Sequence, residues 1–131
     1  MKPNRMEPVS EFRLATDSGS YDLEARVLLL GDDLLVVIWG GDTPHIGAVA
    51  MAQSRPSLKD AAELSATSSV YTYIGHKEDD LVKKVSETLS KKLDKKVVVA
   101  AGIHWDNIPE SGIRQVMINS GTLIQTILDL F

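Results

Sequence analysis

Two neighbouring stretches constrain this chain more than anything else in it. From Tyr21 to Leu29, Tyr21, Leu23, Ala25, Val27 and Leu29 alternate with Asp22, Glu24 and Arg26. Successive side chains of a strand point to opposite faces, so this is the pattern of a half-buried strand. After Gly31-Asp32-Asp33, the residues Leu34 to Trp39 form an unbroken apolar run bounded by glycines. It is too short for a typical helix and predicts a central strand buried on both faces. A weaker alternation from Ser10 to Asp17 precedes these two, and Ile46 to Gln53 resumes strand character after them. Read in order, they make a four-strand meander. Ser68 to Ile74 is β-branched and aromatic, a fifth strand, and Val97 to Ala101 within Lys96–Ile103 a sixth. Ser54 to Leu64 reads as a loop or short helix.

Only one segment is strongly helical. Over Asp79 to Leu93, Leu81, Val82, Val85, Leu89 and Leu93 line one stripe. Glu78, Asp79 and Asp80 at its start and Lys91 and Lys92 at its end complement the helix dipole. From Pro109 onward, Ile113, Val116 and Met117, then Leu123, Ile124, Ile127, Leu128 and Phe131, predict two short helices separated by Asn119-Ser120-Gly121. Strands followed by helices, without strict βαβ alternation, argue for an α+β domain. Its mostly antiparallel sheet of about six strands would carry the long helix and the C-terminal helices packed against it.

The 131 residues suit one domain, residues 10–131, behind a polar, proline-bearing, disordered arm over residues 1–9. There is no cysteine, which excludes disulfides and thiolate chemistry and suits a cytoplasmic protein. A net charge of −4 argues against broad nucleic-acid binding. The paired lysines 83–84, 91–92 and 95–96 are interleaved with Glu87 and Asp94 and lack stacking aromatics. No apolar run approaches the roughly 20 residues of a membrane span, and no signal peptide is visible.

The chemistry concentrates around three histidines, each beside a glycine: Gly40-Gly41-Asp42-Thr43-Pro44-His45-Ile46-Gly47, Ile74-Gly75-His76-Lys77, and Ala101-Gly102-Ile103-His104-Trp105-Asp106. Glycine lets backbone turn sharply or approach another group closely, so one composite pocket is expected. The first loop offers backbone N–H groups and a hydroxyl to an anion, against the plainer reading of a glycine-rich hairpin. Gly75, His76 and Lys77 precede a helix N-terminus, where anions are favoured; a cap and a solvated lysine is the alternative. His104 and Asp106 share one strand face, fit for a general base or a metal ligand with its orienting partner, or for a mere turn cap with Trp105 in the core. No two histidines stand at close metal-ligand spacing, which argues against a three-histidine metal centre. Nucleophile-elbow, P-loop and dinucleotide signatures are absent.

In combination, Val37 through Gly47, Gly75-His76-Lys77-Glu78 before a helix, and Ala101-Gly102-Ile103-His104 resemble the LpdD-like proteins. These are small third subunits found with UbiD-type gallate and vanillate decarboxylases, regarded as chaperones for prenylated flavin mononucleotide. The resemblance spans roughly Leu28 to Ile113 and implies a non-catalytic protein that holds or delivers prenylated FMN, or FMN, to the large decarboxylase subunit. It implies one ligand site with His45, His76 and His104, shaped by Gly40, Gly41, Gly47 and Gly102. Asp42, Thr43, Gly75, Lys77 and Trp105 complete the candidate set, with Trp39, Tyr73 or Trp105 for ring stacking. A second resemblance, of fold, is to small proteasome-assembly chaperones, which are dimeric α+β proteins, so a homodimer is expected. Two other functions compete. One is an assembly chaperone acting through the apolar end Ile124, Ile127, Leu128, Leu130 and Phe131; the other is a small metal-dependent enzyme using the histidines.

Overall fold

The structure, a computed structural model, describes residues 9–73, 75 and 78–131. Ile74, His76, Lys77 and residues 1–8 of the expected arm lie outside the described residues. Its elements are β1 (Val9–Ala15), β2 (Glu24–Leu30), β3 (Asp33–Gly41), β4 (Ala48–Pro56), β5 (Leu64–Thr72), α1 (Asp79–Leu93), β6 (Val97–His104) and α2 (Glu110–Leu128). The strands form one six-stranded sheet in the order β1-β2-β3-β6-β4-β5.

The expected meander therefore stops at β3. β6 enters between β3 and β4, parallel to β3 (Leu34↔Val97, Trp39↔Gly102) and antiparallel to β4 (Ala48↔Ala101). All other pairs are antiparallel. The physical reason lies in composition: β6, with Val97-Val98-Val99-Ala100-Ala101, is so continuously apolar that a central position suits it.

Both helices lie on one face of the sheet, α1 across β4, β5 and β6 and α2 beside α1. Val27, Val36, Ile38, Ala50, Val97 and Val99 point to that face, where Leu81, Val82, Val85 and Leu89 of α1 and Leu123 and Ile127 of α2 meet them. Each such side chain contributes roughly 1.5–3 kcal/mol when fully buried. Ser68 of β5 donates to Glu87 of α1, which also pairs with Lys83. Partial burial pushes the Glu87 carboxyl up, but the donors Lys83 and Ser68 outweigh it and hold the group below its ordinary value.

Two expectations fail here. β3 is buried on one face only, because its other side chains, Leu35, Val37 and Trp39, lie on the sheet face away from the helices and stay half-buried. And the C-terminal segment is one helix rather than two. Asn119 and Ser120, which look like a separator, are 1% exposed in the middle of α2. The Asn119 amide donates to the carbonyls of Ser20 and Tyr21, at 2.9 and 2.7 Å, so a buried polar pin stands where a turn was expected. Ile124 and Ile127 of the apolar end are buried in the core, leaving Phe131 as its most exposed member, with the Lys95 amine over its ring. Among the described residues no helix is long and apolar enough to cross a membrane.

Candidate functional site

Strand order dictates the site. Because β3 and β6 are parallel, both end at the same edge of the sheet, and β4, antiparallel to β6, begins there. The chain leaving β3 must cross over the end of β6 to reach β4, and residues 42–47 are that crossing. Asp42 N–H donates to the His104 carbonyl at 2.9 Å, and Gly47 N–H to the Ala101 carbonyl at 2.8 Å. These two N–H groups, which the glycine-rich loop would otherwise offer to an anion, are committed inside the fold.

The crossing is too close for side chains. A Cβ on Gly102 would sit 1.8 Å from the His45 carbonyl oxygen, and one on Gly41 1.8 Å from that of His104. Gly41 also has φ +101°, a backbone conformation that L residues rarely adopt. The first and third glycine–histidine stretches are thus interlocked.

A third segment joins them through Glu78, the last residue of the Gly75-His76-Lys77-Glu78 stretch, for whose side chain the sequence predicts only a favourable charge at the helix N-terminus. Glu78, immediately before α1, is 8% exposed. Its Oε1 accepts from Ile103 N–H at 3.2 Å and lies 3.6 Å from His45 Nε2. Gly47 makes room for this carboxylate, since a Cβ there would fall 2.2 Å from Oε2. The backbone carbonyl of Glu78 accepts from Val82, so the same residue opens the helix. His45 turns its Nδ1 to the Thr43 carbonyl at 2.9 Å, and both ring nitrogens face oxygen atoms. Nothing local in the sequence marks Glu78; its environment comes from β4 and β6.

The remaining candidates divide. His104 is exposed, its Nε2 2.9 Å from Asp106 Oδ1, and Asp106 N–H donates to Asp42 Oδ2 at 3.1 Å. Thr43 is exposed on the crossing loop, and Gly75 is exposed with φ +85°. His76 and Lys77 lie outside the described residues. Trp105 turns the other way and packs edge-to-face on Tyr21, with ring centroids 5.1 Å apart. Gly40 serves that packing, because a Cβ would meet Leu23 at 2.7 Å and Trp105 at 3.0 Å. Trp39 lies on the open sheet face beside Gly102, its indole N–H donating to Glu24 at 3.1 Å. Tyr73 packs edge-to-face on Tyr71, and its N–H donates to the Gly47 carbonyl at 2.8 Å.

On the open face below the crossing loop, β6 presents Val98, Ala100 and Gly102. Ala100 is flanked by Val37 and Val49, and Gly102 by Trp39. Ala100 and Gly102 bring little or no side chain between these larger neighbours, and the His45 carbonyl packs over Gly102. A cavity of about 570 Å³ lies elsewhere, at the opposite end of the strands, lined by Leu30, Asp33, Leu35, Met51, Lys96 and Val98 among others. It holds no histidine. Size alone does not identify the site; the converging polar groups lie at the crossing.

Comparison with known proteins identifies the family and the fold. Residues 17–131 match the family described as the prenylated flavin chaperone LpdD-like domain. Protein LpdD of Lactiplantibacillus plantarum (strain ATCC BAA-793 / NCIMB 8826 / WCFS1) is 27% identical over 100 residues, covering 75% of this chain and 68% of that protein. Among solved structures, the crystal structure of a novel chaperone complex for yeast 20S proteasome assembly has the same fold. It superposes with a TM-score of 0.55 at 14% identity over 94% of each chain. With the family model covering nearly the whole domain, crossing loop and β6 end included, the chain belongs to the prenylated flavin chaperone LpdD-like family.

Proposed function

We propose that this protein is a non-catalytic carrier that holds prenylated FMN and hands it to a UbiD-type decarboxylase. The observation that carries the reading is the interlocked crossing, which brings His45 and His104 together at the end of β6, next to Val37, Trp39 and Ala100 of the open sheet face. A flavin nucleotide combines a flat apolar ring system with a phosphate. The apolar open sheet face around Val37, Trp39, Val49 and Ala100 suits the ring, and the loop end with its imidazoles, Thr43 and Gly75 suits the phosphate. The residues fit a cargo that is held rather than transformed. In this reading the carrier is cytoplasmic and works as a homodimer, which light scattering tests.

Titration of the purified protein with FMN and with its prenylated form tests the function. One flavin per chain is expected, with at least a tenfold weakening in His45→Ala and in His104→Ala. No binding of either flavin would sink the reading. Transfer to a flavin-free decarboxylase, followed by recovery of activity, tests delivery. Recovery of a decarboxylase subunit on the carrier without flavin would favour an assembly chaperone instead, although Ile124 and Ile127 of the apolar end are taken up by the core.

A further inference from the structure

The proposed phosphate position raises an electrostatic difficulty. Asp42, Asp106 and Glu78 all stand at the crossing, and the whole chain carries a net charge of −4. The interaction of a phosphate oxygen with a neighbouring carboxylate is repulsive in sign, and solvent screens it only in part. A divalent cation between them reverses that sign.

The ligands for one are already gathered. Asp42, His104 and Asp106 each offer an atom, and these atoms all lie within 4.8 Å of one another, the one such group among the described residues. His45 is not part of it, so this is not the three-histidine centre considered from sequence. Nor is it a plain patch of surface acids. It brings an imidazole nitrogen together with two carboxylates, drawn from both sides of the crossing: Asp42 from the loop, His104 and Asp106 from the end of β6. One nitrogen and two oxygens suit Mn²⁺ or Mg²⁺ better than Zn²⁺, which favours richer nitrogen or sulfur sets. An octahedral cation held by three protein atoms keeps three positions for water or for phosphate oxygens, the usual way such ions meet nucleotides.

We propose that Asp42, His104 and Asp106 bind a divalent cation of the Mn²⁺ or Mg²⁺ class, which bridges the crossing loop to the phosphate of the bound nucleotide. The bridge rests on the carrier reading above; the cation site itself does not. Because the ligands tie residues 42–47 to β6, the ion also staples the crossing, giving a readout that needs no flavin.

The test titrates metal-free protein with Mn²⁺, followed by electron paramagnetic resonance and by thermal unfolding. One Mn²⁺ per chain is expected, with a raised Tm. Asp42→Asn and Asp106→Asn should each weaken binding at least tenfold and abolish the Tm shift, while the exposed Asp60→Asn leaves both unchanged. FMN or its prenylated form should bind at least several-fold more tightly with Mn²⁺ present. Absent saturation, or binding insensitive to both substitutions (an adventitious ion only), overturns the site. Flavin binding indifferent to Mn²⁺ overturns the bridge and leaves the carrier standing. Mn²⁺ held at these residues with no flavin bound at all keeps the cation site, overturns the bridge and removes the carrier.

Discussion

The two ends of the sheet solve the same problem, reversing the chain, in opposite ways. At one end β2 turns into β3 through Gly31 and Asp32, a tight hairpin with φ +62° at Gly31 and open space around it. At the other, the link from β3 to β4 vaults over β6, and backbone packs on backbone at Gly41 and Gly102. The first end has a cavity of about 570 Å³ and an exposed Lys96–Asp33 contact; the second has His45, His104 and a buried carboxylate. What separates them is topology. A strand inserted between two sequence neighbours forces a crossing, and a crossing puts chemistry from distant segments into one place.

The sharpest way to break this contrast is to add one methyl group at each end. Gly102→Ala places a Cβ against the His45 carbonyl, where only backbone movement can relieve it. Overpacking of this kind costs about 3 kcal/mol or more, and flavin binding should be lost with it. Gly31→Ala meets nothing within 4 Å and carries only the penalty of its left-handed backbone, about 1 kcal/mol. Urea midpoints of the two variants measure the gap. Equal losses would show that the crossing is no tighter than an ordinary turn.

Next in size is the buried carboxylate. Glu78→Ala strips the Ile103 N–H of its acceptor and removes the charge facing His45, so a loss of about 2–3 kcal/mol is expected. Glu78→Gln keeps an acceptor for Ile103 and should recover part of that stability. Flavin titration of Glu78→Gln then separates a role in holding His45 from a role in holding the fold. An unchanged flavin affinity would place Glu78 outside the site.

These positions also mark where the sequence stops being legible. The face pattern of β2 and the bounds of α1 could be read because burial of one face imposes a period of two or of 3.6. The place of β6 could not, since strand order is a long-range choice and the apolar run from Val97 to Ala101 suits any central position. Asn119-Ser120-Gly121 carries turn chemistry, so the sequence predicts two helices where α2 is one. The partners of Asn119, the carbonyls of Ser20 and Tyr21, lie about a hundred residues away and leave no local trace. In the site, glycine beside histidine did signal close approach at His45 and His104. Asp106 is legible too, as a carboxylate two residues beyond His104, whereas the contacts of Glu78 with Ile103 and His45 depend on the crossing itself.

Asp22 tests a quieter part of the crossing end. Its carboxylate gathers Thr16 Oγ1 at 2.7 Å, Ser18 N–H at 2.8 Å and Gly19 N–H at 2.9 Å, closing the link from β1 to β2. The Thr16 hydroxyl and these N–H groups lower its pKa from 3.8 to about 2. A carboxyl whose folded pKa is depressed contributes stability above its unfolded pKa and loses it as pH falls through the folded one. Asp22→Asn should therefore be less stable than the parent at neutral pH, by less than the Glu78→Ala loss. The gap should hold down to about pH 4 and close between there and about pH 2. Midpoints taken along a pH series check this; a gap that stays open at the acid end would mean the turn does not depend on the charge.

The smallest effect belongs to the other end of the sheet. Lys96 Nζ lies 3.5 Å from Asp33 Oδ2, and the two side chains remain 73% and 48% exposed. Exposed pairs of this kind contribute about 0–1 kcal/mol, because water screens the attraction and two flexible side chains must be ordered to make it. Lys96→Ala should shift the urea midpoint barely, still less in added salt, and leave flavin affinity unchanged although Lys96 lines the cavity at that end. If flavin affinity instead fell with Lys96→Ala and survived His104→Ala, the functional end would be the hairpin end, and the crossing would be architecture alone.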